Sequence, residues 1–223
     1  MKFIAVFSLV FANALSFASS NHLPAEPRIL IIGDSHSVGP FGHLLVDELK
    51  QLSPRTSLYA SCGTVASSWF LGSKTKCGFY FRTEQDKVLE GRNGNTPKLP
   101  GMISTMKPDL LVVELSGNYL KGFDQASAVA DMKKMIDLIK QQPIACLWVS
   151  APDSRTNRQE RSRIFSWVME AVGDRCTVVD GRAHTRYPET GGDGVHYFRE
   201  ADVREWVDAV ANEAKLILKE SSF

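Results

Sequence analysis

Arg28-Ile29-Leu30-Ile31-Ile32-Gly33-Asp34-Ser35-His36-Ser37 is the stretch from which the fold is read. Its first half is a continuous apolar run, rich in isoleucine and stopped by glycine, which is the pattern of a strand buried on both faces. A helical pattern begins within a few residues of its end. A serine on a tight strand-to-helix turn stands exposed at the top of a sheet, beside backbone N–H groups that stabilise negative charge. Taken alone, the Gly-Asp-Ser turn fits a helix cap equally well.

Working outward, four similar apolar runs follow, at residues 57–61, 110–114, 144–150 and 177–180. Between them lie helical stripes: Leu44, Leu45, Leu49 and Leu52; Val129, Met132, Ile136 and Ile139; Ile164, Trp167, Val168 and Ala171. Asp124 is the expected N-cap of the second stripe, and Trp206, Val210, Ala214 and Ile217 share one face of a closing helix. Alternating strands and helices predict a three-layer α/β/α sandwich on a central, mainly parallel, five-stranded sheet, with the ligand at the carboxyl ends of the strands. The long connection over residues 64–107 reads as an insertion beside the site, with loose glycine, asparagine and proline punctuation at 91–101.

The sequence has 223 residues, 43% of them apolar and 23% charged, which suits one well-buried soluble domain. A formal charge of +1 and the lack of a polybasic run point away from nucleic acid and from a membrane surface. Lys2 followed by an apolar run over 3–12 and small residues at Ser16, Ala18 and Ser20 reads as a secretory signal peptide, residues 1–18 or 1–20, too short for a stable membrane span. A linker over 19–27 then leads into a domain over 28–219. Export to periplasm or medium is expected, and an even number of cysteines in an exported chain favours disulfides. Cys62, Cys77, Cys146 and Cys176 allow three pairings; Cys62 with Cys77 and Cys146 with Cys176 is favoured, because the latter two lie near the starts of neighbouring strands.

Three more short blocks sit where a parallel sheet would gather them. Cys62-Gly63-Thr64 follows the second strand, Ser116-Gly117-Asn118 the third, and Asp193-Gly194-Val195-His196 precedes the last helix. With Gly33-Asp34-Ser35-His36 these four blocks resemble, in order, those of the SGNH or GDSL-type hydrolases, a flavodoxin-like family, in a Gly-Asp-Ser-His form. The resemblance implies that Ser35 is the nucleophile, that Asp193 and His196 complete a triad, and that Ser35, Gly63 and Asn118 supply the oxyanion hole. It implies no metal and no organic cofactor. The residue types make independent sense. A serine hydroxyl needs an imidazole base, the imidazole needs a carboxylate on its other nitrogen, and the oxyanion needs fixed N–H donors. A glycine at position 63 is expected to spare the acyl group from crowding.

The departures are His36 where leucine is commonest, Ser116 in place of a glycine, and Tyr119 in place of an aspartate. Asp34 and His36 are expected to support the nucleophile turn rather than to join the acid-base chemistry. The Gly-Asp-Ser-His form resembles domains associated with O-acetylation of bacterial envelope polysaccharides. The expected activity is therefore hydrolysis of a short O-acyl ester, acetyl first, on a saccharide such as peptidoglycan. The alternatives are an O-acetyltransferase with the same triad, a lysophospholipase or thioesterase, and a silent glycan-binding protein of the same fold. Trp69, Tyr80 and Arg82 in the insertion are candidates for substrate contact, against a satellite core as the other reading. Arg155, Arg158, Arg161 and Arg163 with Glu160 read as a solvated helix face.

Overall fold

The computed structural model describes residues 26–120 and 122–220. The expected signal peptide and most of the linker lie outside them. The first apolar run forms β1 (Ile29–Gly33), wholly buried, and the chain turns through a single helical turn, α1 (Ser35–Val38), into α2 (Pro40–Leu52). Pro40 starts α2 where no helical N–H partner is needed. The other expected strands are β2 (Thr56–Ser61), β5 (Leu110–Glu114), β6 (Ala145–Val149) and β7 (Thr177–Val179). The expected helices are α2, α5 (Gln125–Lys140), α6 (Arg158–Val172) and α7 (Arg204–Glu220). Asp124 caps α5 by accepting from Ser127 N.

The sheet has seven strands rather than five, in the order β4-β3-β2-β1-β5-β6-β7. The additional pair comes from the insertion, where β3 (Phe79–Arg82) and β4 (Val88–Gly91) form an antiparallel hairpin on the free edge of β2. Two short helices, α3 (Ala66–Leu71) and α4 (Leu99–Met106), fill the rest of that connection. The five parallel strands keep the expected arrangement. Because β2 lies on one side of β1 and β5 on the other, the chain reverses direction between β1 and β5, and a crevice opens at their carboxyl ends.

Each face of the sheet buries its own core. Leu30, Ile32, Leu111, Val113 and Trp148 meet α3 to α6 on one face. Ile29, Ile31, Val112 and Leu147 meet α2 and α7 on the other, where Phe41 stacks on Trp206 with ring centroids 3.6 Å apart. Cys62 is bonded to Cys77 and Cys146 to Cys176, with Cα atoms 5.3 and 4.8 Å apart. These are the favoured pairs, and in the chain-entropy account each closed loop contributes about 3 to 4 kcal/mol.

Candidate active site

Ser35 is the first residue of α1, directly above the carboxyl end of β1. Its Oγ lies 2.9 Å from His196 Nε2, and His196 Nδ1 lies 2.6 Å from Asp193 Oδ2. The other carboxylate oxygen, Oδ1, accepts from Val195 N and His196 N, both at 2.8 Å, so the short 193–196 loop is wound around its own carboxylate. Partial burial alone raises the Asp193 pKa. The hydrogen bonds from the His196 ring, His196 N and Val195 N outweigh it and hold the carboxyl well below the usual range. Tyr187, which carries no sequence signal, anchors this loop: its Oη accepts from Gly194 N at 3.0 Å and donates to the His196 carbonyl at 3.1 Å.

Asp34 is fully buried and caps α1, accepting from His36 N at 3.0 Å through Oδ1 and from Asn118 Nδ2 at 2.9 Å through Oδ2. Asn118 Nδ2 also donates to the Thr64 carbonyl at 3.0 Å. One amide thus ties the ends of β1, β2 and β5 beside Ser35. Gly63 lies on the same loop with φ +78°, and a Cβ there would sit 2.7 Å from Lys76 Cδ. The glycine is therefore required by its left-handed backbone and by the lysine stem lying over it.

The departures have structural work. Ser116 Oγ accepts from Ala151 N at 2.8 Å, joining the ends of β5 and β6. Tyr119 is buried, donating to Asp131 at 2.8 Å and accepting from Ala66 N at 3.1 Å. The His36 ring lies 5.3 Å from that of His196 and edge-on to Trp206. Burial, then the Arg161 charge, push His36 well below the usual imidazole range, so it is a neutral packing partner.

The insertion aromatics do not face the site. Trp69 is fully buried in the core, and Tyr80 is buried against His43, ring centroids 4.1 Å apart, so neither can stack on a sugar. Arg82 is held by Asp47 and Asp86 at 2.6 and 2.8 Å. Trp69 and Tyr80 belong to the two main cores rather than to a satellite one. Phe198, missed in the sequence, is an exposed aromatic beside His196, 66% accessible. It borders an apolar cavity of about 210 Å³ next to Ser35, walled by Val38, Pro40 and the Cys62–Cys77 bridge, and a second of about 410 Å³ beyond His196. A cavity of about 260 Å³ lined largely by polar residues also borders Ser35.

Arg161 is not on a solvated face: it is 3% exposed and lines that polar cavity. The signal was available, since residue 161 falls in register with Ile164, Val168 and Ala171 on the buried stripe of α6. Gly117 makes room for it, because a Cβ at 117 would sit 2.7 Å from Arg161 Nη1.

Glu114, at the end of β5, accepts from Ser37 Oγ at 2.9 Å and from Asp34 N at 3.2 Å. Burial, and then the charge of Asp34, raise its pKa well above the carboxylate range. The folded state therefore holds a proton that the unfolded chain releases. That contribution to stability is complete below the ordinary glutamate pKa and is lost as pH rises through the raised one. Glu114→Gln, which keeps an acceptor for both donors, is expected to melt close to wild type at pH 4 and several degrees above it at pH 8. Parallel melting curves across that range would show that Glu114 is ionised in the fold.

No protein-family model matches the sequence, and no curated protein matches it. Solved structures do match in shape. A GDSL-like lipase from Bacteroides thetaiotaomicron aligns with a TM-score of 0.54 at 14% identity, over 84% of this chain and 89% of its own. The chain has the fold of the GDSL-type esterases. The same GDSL-type fold aligns with a peptidoglycan O-acetylesterase, TM-score 0.55 at 10% identity, over 90% of this chain and 93% of that one. It also aligns with a catalytic mutant of an acetylxylan esterase from Geobacillus stearothermophilus, TM-score 0.56 at 13% identity, over 85% and 94%.

Proposed function

We propose that the protein is a serine esterase that removes a short acyl group, acetyl first, from a saccharide ester. The observation that carries this reading is the unbroken relay from Ser35 Oγ to His196 to Asp193, at 2.9 and 2.6 Å, in the crevice where the strand order reverses. His196 takes the Ser35 proton as Oγ attacks the ester carbonyl, then returns it to the leaving alcohol. Water, activated by the same imidazole, releases the acid from the acyl-serine. The oxyanion meets the N–H of Ser35, the N–H of Gly63 and the Asn118 amide, which exchanges the Thr64 carbonyl for the charge.

The small apolar cavity beside Ser35 fits a short acyl chain. The exposed ring of Phe198 offers a face to a sugar. The likeness of fold to two acetylesterases supports the same chemistry. Two disulfides suit an oxidising, exported setting, and among the described residues no helix is long and apolar enough to cross a membrane.

Purified protein incubated with O-acetylated peptidoglycan or xylan is expected to release free acetate, and Ser35→Ala to release none. Acetate appearing on an added glycan would make the protein a transferase, and neither product would make it a binding protein. Phe198→Ala is expected to lower kcat/KM for the glycan ester about tenfold more than for an aryl acetate, as the loss of one stacking contact requires. Equal losses on both would remove Phe198 from the saccharide site.

A further inference from the structure

Arg161 is a buried charged group beside Ser35 for which the esterase chemistry has no use. Its guanidinium is almost wholly buried, and Nε and Nη1 have no hydrogen-bond partner among the described residues. Burying a cation costs several kcal/mol unless hydrogen bonds and an opposite charge compensate it. Two carboxyls are near, yet neither is bonded to it. Burial, and then the charge of Asp34, favour the protonated form of Glu114. The Asp34 oxygens are taken by His36 N and Asn118, while Arg161 Nη1 and Asp34 Oδ2 lie on either side of Gly117.

The polar cavity that Arg161 lines runs past Ser35 and His196 to Lys76 and Asn157. Among the described residues, Asp34 is the only carboxylate in its wall. The cavity is thus lined by Arg161, whose guanidinium is buried, by Lys76 and by the amide side chains Asn118 and Asn157, around a volume large enough for a small polar group. A planar carboxylate satisfies such a set of donors, and guanidinium is its strongest partner.

We propose that this cavity is a carboxylate subsite: the ester attacked by Ser35 carries a carboxylate, on its sugar or on its acyl chain, that docks between Arg161 and Lys76. The proposal rests on Ser35 being the nucleophile. It narrows the substrate class to O-acylated uronic acids with a free carboxylate or half-esters of dicarboxylic acids.

The test compares matched esters. 4-Nitrophenyl hemisuccinate against 4-nitrophenyl acetate places the carboxylate on the acyl side, and acetylated methyl glucuronide against acetylated methyl glucoside places it on the sugar side. In one pair the wild type is expected to favour the charged member by about tenfold or more in kcat/KM, mainly through KM. Lys76→Gln and Arg161→Gln are expected to bring that ratio toward unity. If circular dichroism shows Arg161→Gln unfolded, the wild-type ratio and Lys76→Gln decide. Equal turnover within both pairs would overturn the subsite, leave the esterase standing, and make Arg161 a counter-ion to Asp34. If no ester is turned over, the esterase reading fails. Calorimetric titration of the wild type with succinate and glucuronate against succinamide and glucose then decides. Heat from a charged ligand alone supports the subsite, and no difference overturns it.

Discussion

Ser35→Ala is expected to lower turnover of 4-nitrophenyl acetate by about 10⁴- to 10⁶-fold, and His196→Ala by as much, with the fold unchanged by circular dichroism. On the proposed mechanism the two side chains serve one step: His196 Nε2 is 2.9 Å from Ser35 Oγ, so removing either end of that contact leaves the same inert pair. The double variant is therefore expected to be little worse than either single one. A multiplicative loss would show that the two act in separate steps. A serine-directed phosphonate is expected to add its mass to the peptide containing Ser35 in the wild type and to none in Ser35→Ala. Wild-type turnover by Ser35→Ala would remove the triad and favour a binding protein of this fold.

Asp193→Asn is expected to cost about 10³- to 10⁴-fold in kcat while leaving the melting temperature nearly unchanged. The carboxylate is half exposed, so its removal opens no core. The carboxylate also accepts three N–H groups at 2.6 to 2.8 Å, one of them the imidazole Nδ1–H. An amide that keeps its carbonyl toward Val195 N and His196 N presents an NH₂ to the ring, which selects the tautomer with its proton on Nε2. That tautomer cannot accept from Ser35. Because Asp193 in the wild type is held well below the carboxylate range, it stays ionised through mildly acid pH and does not shape the acid limb of the rate profile. A kcat within tenfold of wild type would place the carboxylate outside the relay.

The parts of this architecture with strong periodicity were legible in the sequence. β1, β5 and β6 are buried on both faces and read as unbroken apolar runs, and α5, α6 and α7 carry full stripes. The four short blocks fell at the crevice because each directly follows a parallel strand or precedes the closing helix. The hairpin β3–β4 was not legible. Its strands are four residues each, one reads as an aromatic cluster, and every residue of Val88–Gly91 is exposed and so shows no alternation. α3 and α4, at six and eight residues, are too short to establish a period. Arg161 was lost for another reason: its spacing marked it as buried and its charge argued against that. Phe198 was hidden because an aromatic two residues past His196 has no pattern until the fold shows what it borders.

The hairpin added to β2 changes how this sheet meets other copies of itself. Without it, the six-residue β2, whose residues are almost all buried, would be a margin with a row of unpaired amides. As built, the long strands lie inside and the margins are β4, with four residues and Glu90 on its exposed rim, and β7, with three. Margins this short offer a docking strand few ladder bonds, and a charged rim opposes what remains. The hairpin therefore works against edge-to-edge aggregation.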